Sequence, residues 1–141
     1  MSTEDNKATV RRSIEEVFNK KNLAAIDEFI APNHIDHAAS AAGSPAGPEG
    51  SRQLIGMMLT AFPDLHYTIE DMIAEGDTVA FRMTMRGTQQ GALGSIPPTG
   101  KQVEVLTINI VRIESGKIAE EWGIDDRLGL LQQLGLVPAM G

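Results

Sequence analysis

Asp126 is the residue of this 141-residue chain whose neighbours best suit it to proton transfer. In a strand, alternate residues point to the same side, and the predicted face comprises Ile118, Glu120, Trp122, Ile124 and Asp126. A carboxylate at the end of this row is partly withdrawn from water and is a stronger base, as proton abstraction next to a carbonyl requires. Asp126 also directly precedes a predicted helix, and Asp125 could cap that helix equally well. The spacing alone favours the cap.

Two histidines lie on either side of an acidic residue in the segment Asn33-His34-Ile35-Asp36-His37. A catalytic zinc site needs three protein ligands, and no third ligand of a suitable type is nearby, so we predict no metal. His37 is a candidate hydrogen-bond donor to a ligand, although a structural histidine fits the pattern equally well. Glu120 is more easily explained by a salt bridge or a subunit contact than by catalysis.

Other residues could shape a binding pocket. Trp122 is the only tryptophan, and it is either a core anchor or a wall on which a flat ligand stacks. Phe81 and Met83 share one face of a predicted strand, and methionine suits an adaptable apolar pocket. Arg82, on the opposite face, could polarise a carbonyl or bind a carboxylate. Arg86 lies on that same face, which favours a solvated or interfacial arginine instead.

Composition excludes several classes of protein. Twelve Lys and Arg against 19 Asp and Glu give a formal charge of −7, which argues against a nucleic acid or an anionic membrane as partner. The absence of cysteine excludes thiol catalysis and disulfides. The N-terminus is acidic and polar, and no apolar run has membrane-spanning length, so we expect a cytoplasmic protein. The length suits one domain, residues 1–141.

The elements that position these residues change character along the chain. Helical periodicity predicts three helices, around Val10–Phe18, Leu23–Ile30 and Ser51–Phe62, with a small-residue loop over 38–50 that could act as a lid. Alternation of period two then predicts strands, over Leu65–Ala74, Asp77–Thr88, Lys101–Glu114 and Lys117–Ile124. A last helix is predicted over Arg127–Leu134. This order is typical of an α+β fold with helices on one face of a curved antiparallel sheet.

The strand predicted at 101–114 is apolar on both faces. Val103, Val105 and Val111 lie on one side, and Leu106, Ile108 and Ile110 lie on the other. Both faces should therefore be covered. We expect one to pack on helices and the other to line a cavity or a subunit interface.

Four stretches carry a resemblance to a known family. They are Phe62-Pro63-Asp64-Leu65, Ile69–Asp77, the Ile96-Pro97-Pro98-Thr99-Gly100 loop with its flanks, and Gly116–Trp122 continuing through Asp126 to Leu131–Gly135. Together they resemble the SnoaL-like polyketide cyclases, within the nuclear-transport-factor-2-like and ketosteroid-isomerase-like superfamily. The resemblance covers essentially the whole chain. Because this superfamily hosts many activities, the function must still be argued from the site.

The resemblance implies a cone-shaped α+β barrel with an apolar pocket between a curved sheet and N-terminal helices. It implies a homodimer or homotetramer built through the sheet, and cofactor-independent aldol closure of an aromatic carbonyl compound without a metal. Isomerisation, hydroxylation and hydrolytic epoxide opening are variants that the same pocket could support. It also implies that Asp126, by its position in the motif, is the general acid or base. On this basis we predict Asp126 and His37 as catalytic residues. The predicted substrate-binding residues are Trp122, Gln89, Asn109, Arg82, Phe81 and Met83.

Two residues depart from the family pattern. Gln89 stands where many relatives carry histidine, and Asn109 stands where many carry aspartate. Amides keep hydrogen-bonding capacity but transfer no protons. These departures favour an alternative, a non-catalytic protein that binds an apolar small molecule in the same pocket. An oligomerisation module with a filled interior is a third hypothesis, which a structure without a cavity would select.

Overall fold

The computed structural model of the protein describes residues 2–138. Helix α1 begins with a capping box in which the Ser2 and Asp5 side chains each accept a hydrogen bond from the other's backbone N–H, both at 3.1 Å. The helical elements in chain order are α1 (Thr3–Ser13), a π-helical segment (Ile14–Asn19), a 3₁₀ turn (Leu23–Ala25), α2 (Ile26–Phe29), α3 (His37–Ala41), α4 (Gly47–Ala61) and α5 (Arg127–Gln133). No helix within residues 2–138 has both the length and the hydropathy needed to cross a membrane.

Within the same residues, five strands form one sheet. They are β1 (Ile30–Asp36), β2 (His66–Glu75), β3 (Thr78–Thr88), β4 (Gln102–Glu114) and β5 (Lys117–Asp125), in the spatial order β1-β5-β4-β3-β2. The strands β2 to β5 pair antiparallel, and β1 pairs parallel with β5. The predicted α+β class is confirmed. The described sheet is mixed rather than antiparallel and is not closed into a barrel, because β1 and β2 are its edges.

The inner face of the sheet, defined as the face that packs on the helices, carries the core. Val79, Phe81, Met83 and Met85 of β3 are all buried, as their alternation predicts. Val79, Phe81 and Met83 contact apolar side chains of α1, the π-helical segment and α2. A second cluster joins Phe62 and Leu65 to Leu130 and Leu134, so α5 closes one end of the sheet. Burial of these side chains drives the packing of the layers.

The β4–β5 hairpin forms as its sequence predicts. Glu114 pairs with Lys117, which leaves Ser115 and Gly116 as a two-residue turn with φ of 51° and 77°. Two consecutive positive φ angles match the twist of a hairpin, and glycine adopts them without strain.

The sequence prediction fails between residues 30 and 50. The strand β1 was not predicted, because its four residues after Pro32 show no clear alternation and the strand pairs with β5, nearly ninety residues later in the chain. The predicted loop 38–50 is partly helical, and α4 begins at Gly47 rather than after Ser51. The small residues there serve close packing: a Cβ atom on Gly50 would overlap the carbonyl oxygen of Pro45.

Candidate active site

A cavity of about 770 Å³ lies between the helices and the inner face of the sheet. Its volume falls within the rough range of 300–1,000 Å³ that is typical of small-molecule sites. The hypothesis of a filled interior is therefore wrong. Most of the cavity wall is apolar, with contributions from Ile14, Val17, Phe29, Leu54, Ile55, Phe81, Met83 and Val111.

One wall of the cavity is made of small side chains. The segment proposed as a lid, residues 38–50, contributes Ala38, Ala39, Ala42, Ser44, Pro45 and Ala46 to the lining. Because these side chains are short, they leave space that larger residues would fill. The segment is thus part of the cavity wall.

Polar side chains interrupt the apolar wall along β4 and β5. We call the set Thr107, Asn109, Glu121 and Asp125 the polar row; all four line the cavity. Thr107 lies opposite Asp125, and Asn109 lies opposite Gly123, in the β4–β5 pairing. Two carboxylates, an amide and a hydroxyl therefore face one apolar space.

A β-bulge in β5 turns the polar row inward. Ile113 pairs with Ile118 and Arg112 pairs with Glu120, so Ala119 is an extra residue on β5. One extra residue reverses which side chains face inward. Ile118 points inward before the bulge, whereas Glu121 and the later odd-numbered residues point inward after it.

Glu121 is held by a buried histidine. The Nε2 atom of His34 lies 2.9 Å from Oε1 of Glu121, and His34 is only 2% exposed. His34 comes from β1, whose next inward residue, Asp36, pairs with Glu121 across the parallel ladder. A charge-assisted hydrogen bond of this kind fixes both the carboxylate and the tautomer of the ring.

Asn109 reaches over the backbone of β5. A Cβ atom on Gly123 would lie 2.5 Å from Oδ1 of Asn109, so the amide occupies the space above that glycine. This space lies between the inward positions 121 and 125 of the same strand. The Nδ2 of Asn109 donates to Oγ1 of Thr107 at 3.2 Å. The Asn109 amide thus lies between the two carboxylate-bearing positions of the polar row.

Tyr67 adds a hydroxyl to the same cavity from β2. Burial raises the pKa of Tyr67 to about 12, and the negative charges of Asp125 and Glu121 add to the effect. The phenol is therefore protonated at neutral pH and serves as a hydrogen-bond donor.

Three of the predicted substrate-binding residues line the cavity. Phe81 and Met83 belong to the apolar wall, and Asn109 belongs to the polar row. Phe81 pairs with Asn109 and Met83 pairs with Thr107, so these residues adjoin the polar groups across the β3–β4 ladder. The structure thus brings these three residues together in one cavity wall, and their role in substrate binding stays a prediction.

Asp126, the predicted catalytic residue, lies outside the cavity lining. Its Oδ1 accepts a hydrogen bond of 2.9 Å from the backbone N–H of Gly129, which makes it the N-cap of α5. The carboxylate lies over Gly129, where it leaves no room for a Cβ atom. The geometry thus favours the capping alternative, and the neighbouring Asp125 is the residue that faces the cavity.

His37 and Trp122 lie together on the outer face of the sheet, away from the cavity lining. Their rings stack with centroids 4.8 Å apart and an angle of 9° between planes. The Nε2 of His37 lies 2.7 Å from Oε2 of Glu120, and Arg112 bonds the other oxygen of Glu120. The hydrogen bond with His37, followed in size by the one from Arg112, holds the pKa of Glu120 below its usual range. The predicted inward face of Glu120 and Trp122 is wrong because of the bulge at Ala119.

Gln89 and Arg82 also lie outside the cavity lining. Gln89 is fully buried, where it donates to the carbonyl of Pro97 and accepts from the N–H and hydroxyl of Thr99. It therefore holds the loop between β3 and β4. Arg82 forms a surface ion pair with Asp71 at 2.6 Å, as the solvated alternative predicts.

The sequence prediction passed over His34, Tyr67 and Glu121 as cavity residues. Tyr67 had a usable signal, since it alternates with Leu65 and Ile69 and is the only tyrosine. The inward orientation of Glu121 and Asp125 depends on the bulge, which no residue pattern marks. Among the described residues, no group of three or more histidine or acidic side chains is placed to hold a metal ion.

An α+β fold with a cavity between sheet and helices and a polar row in its wall defines a class of small-molecule enzymes and binding proteins. A family model of the SnoaL-like polyketide cyclases matches residues 8–134. The nogalonic acid methyl ester cyclase of Streptomyces nogalater is 30% identical over 119 residues, which are 84% of this chain and 89% of that protein.

Solved structures agree in fold. TsrD from Streptomyces laurentii superposes with a TM-score of 0.89 at 28% identity, covering 97% of this chain and 99% of that one. IdmH from Streptomyces antibioticus gives a TM-score of 0.79 at 34% identity, covering 92% and 98%. The chain belongs to the SnoaL-like polyketide cyclase family, and it is an enzyme of the cyclase type.

Proposed function

We propose that this protein closes a ring in a neutral, largely apolar carbonyl compound by an intramolecular aldol reaction, with Asp125 as the general base. The observation that carries the proposal is the polar row in the wall of an otherwise apolar cavity. A base and hydrogen-bond donors in a space with little water are what enolate chemistry requires.

The reaction needs no co-reactant. The carboxylate of Asp125 removes a proton from the carbon next to a carbonyl, and the electron pair of that C–H bond moves to give an enolate. The enolate carbon attacks a second carbonyl of the same molecule and forms the new C–C bond. The alkoxide so formed takes the proton back from the carboxyl group of Asp125. The product is an isomer of the substrate.

Asp125 suits this role better than its acidic neighbours. Asp126 already binds the N-terminus of α5, and one oxygen of Glu121 already bonds the buried His34. The partner of Asp125 is Arg127, 3.2 Å away, whose side chain is 69% exposed. An exposed ion pair of this kind is weak, so it leaves the carboxylate of Asp125 free to contact a substrate.

The charge of the cavity wall supports a neutral substrate. Asp36, Glu121 and Asp125 line it, whereas Arg127 is the one Lys or Arg among the described lining residues. A free carboxylate would be repelled there, and an ester of the same acid would not. The substrate printed in the name of the Streptomyces nogalater relative, nogalonic acid methyl ester, is such an ester and is the first compound to test.

The test follows conversion of nogalonic acid methyl ester by wild type, Asp125→Asn and Asp126→Asn. We expect Asp125→Asn to reduce kcat by a factor on the order of 10²–10⁴, the usual contribution of a general base. We expect Asp126→Asn to keep activity within about tenfold, because the amide oxygen still accepts the capping hydrogen bond.

Two outcomes would contradict the proposal. Full turnover by Asp125→Asn would show that another group is the base. Tight binding of the ester by the wild type without any product would favour the binding-protein alternative, to which the amide at Asn109 lends support. In that case Asp125→Asn should bind the ester as tightly as the wild type does.

A further inference from the structure

We infer that Tyr67 is a further catalytic residue, whose hydroxyl donates a hydrogen bond to the carbonyl oxygen that becomes negatively charged in the enolate. The inference rests on the proposed function, since it assigns a role within that reaction. The observations that carry it are the position of Tyr67, the way its backbone and ring are fixed, and the state of its hydroxyl.

Tyr67 is held rigidly at the cavity wall. The side chain of Asn19 binds its backbone on both sides: Oδ1 accepts from the Tyr67 N–H at 2.8 Å, and Nδ2 donates to the Tyr67 carbonyl at 3.0 Å. The ring packs edge-on against Phe18, with centroids 5.0 Å apart and an angle of 85°. A donor fixed before the substrate arrives costs no reorganisation during the reaction.

The Tyr67 hydroxyl is open to the cavity. It has no hydrogen-bond partner among the described residues, whereas another lining hydroxyl, that of Ser13, donates to the carbonyl of Val10 at 2.7 Å. Within residues 2–138, Oδ1 of Asn6 is the one side-chain polar atom that is both shielded from solvent and without a hydrogen-bond partner. The Tyr67 hydroxyl, which also has no partner, is therefore not shielded from solvent. The phenol oxygen is therefore reachable from the cavity, and a bound ligand can supply its partner.

The protonation state of the phenol fits this role. Burial and the charges of Asp125 and Glu121 raise the pKa of Tyr67 to about 12, so the group donates a hydrogen bond at neutral pH and keeps its proton. The electrons of the C–H bond broken by Asp125 end on the carbonyl oxygen, and the O–H of Tyr67 stabilises that charge. No proton leaves Tyr67 at any step.

The first part of the test is kinetic and uses Tyr67→Phe, which keeps the ring that contacts Phe18. With nogalonic acid methyl ester, we expect kcat to fall on the order of a hundredfold, as for the loss of one oxyanion donor. We expect KM to change less than about threefold, because the hydrogen bond strengthens only as charge develops. Unchanged kcat in Tyr67→Phe would overturn the inference and leave the proposed function intact.

The second part does not depend on turnover. The probe is 2-naphthol, whose oxygen is attached to a flat apolar ring system as in an enolate, and naphthalene is the matched ligand without the oxygen. We expect the wild type to bind 2-naphthol more tightly than naphthalene. In Tyr67→Phe the affinity for 2-naphthol should fall about tenfold, while that for naphthalene stays within about twofold.

The two parts separate failure of the inference from failure of the proposed function. If wild type and Tyr67→Phe bind 2-naphthol equally, or if wild type does not prefer it to naphthalene, Tyr67 is not the donor, whatever the turnover. If the oxygen-dependent binding is lost in Tyr67→Phe but no ester is converted, the donor assignment stands and the proposed reaction fails.

Discussion

The amide oxygen of Asn109 lies 2.5 Å from the point that a Cβ atom on Gly123 would occupy. The two residues are direct partners across the β4–β5 ladder, so the missing side chain on one strand makes room for the amide from the other. This arrangement positions the amide between the carboxylate-bearing positions 121 and 125. The lack of a side chain at Gly123 is therefore what lets the Asn109 amide lie against β5.

Gly123→Ala should displace the Asn109 amide and impair catalysis more than folding. The contact involves the far end of a flexible side chain, which can rotate away, so we expect a loss of stability of about 1 kcal/mol or less. We expect kcat to fall about tenfold or more, because the amide no longer faces the substrate. Denaturant unfolding and turnover on the ester measure the two effects.

Two variants make the Gly123 prediction specific. In an Asn109→Ala background, the effect of Gly123→Ala should largely vanish, since the colliding atoms are gone. Gly56→Ala adds a methyl group to helix α4 where nothing lies within 4 Å, and it should raise stability by roughly 0.5–1 kcal/mol without changing kcat. Equal effects of Gly123→Ala in both backgrounds would contradict the proposed contact.

Asp126 and Asp125 should differ sharply in their effects on stability. Asp126 caps α5 through Gly129, so Asp126→Ala should lower the free energy of unfolding by about 0.5–2 kcal/mol. Asp125 makes only an exposed ion pair with Arg127, so Asp125→Ala should change it by less than about 0.5 kcal/mol. Urea titration of the two variants at neutral pH measures both free energies of unfolding. A larger loss of stability in Asp125→Ala than in Asp126→Ala would contradict the capping role of Asp126 and make Asp126 the candidate base again.

The sequence predicted the strands of the hairpins and the core well because each has a strong local pattern. Val79 to Met85 alternate cleanly and have polar neighbours on the other face, so their burial follows from local chemistry. The β4–β5 turn is equally local, since Ser115-Gly116 suits a two-residue hairpin. Phe81 and Met83 were assigned to the pocket from this alternation, whereas Asn109 was assigned to it from the family resemblance.

The predicted catalytic residues Asp126 and His37 lie outside the cavity lining, and the reason for Asp126 is not local. One extra residue at Ala119 reverses the faces of β5, so Asp125 and Glu121 replace Asp126 and Glu120 on the inner side. His34 was not predicted as a cavity residue, because its strand β1 is evident only from the parallel pairing with β5. Strand register of this kind depends on the partner strand, and a pattern in a single strand does not contain it.

The outer face of the sheet should be covered by a second copy of the chain. Leu106, Ile108, Ile110, Trp122 and Ile124 form an apolar patch there, each at least 40% exposed. A contiguous patch of this kind is typical of an interface. We expect Ile110→Glu to convert an oligomer into a monomer, measured by sedimentation, with little loss of stability per chain because the position is exposed.

A control for the oligomer prediction lies on the same sheet. Ile73 is 70% exposed on the edge strand β2, outside the β4–β5 patch, so Ile73→Glu should leave the assembly intact. Trp122, as the only tryptophan, reports directly on the patch by its fluorescence. A wild type that sediments as a monomer, with Trp122 emission unchanged on concentration, would contradict the prediction.

Alkaline pH should destabilise the protein through Tyr67. Its pKa rises from 10.0 to about 12 on folding, so the unfolded chain loses the phenolic proton first as pH increases. The stability that the buried, protonated phenol contributes is therefore fully present below pH 10.0 and declines as pH rises toward 12. In Tyr67→Phe this part of the decline should be absent, which denaturant unfolding across that pH range measures.

Because Tyr67 is the only tyrosine, tyrosinate absorbance reports its pKa without overlap. Asp125→Asn should shift that pKa downward, since one of the charges that raise it is gone; a wild-type pKa near 10.0 would contradict the burial on which the donor assignment depends.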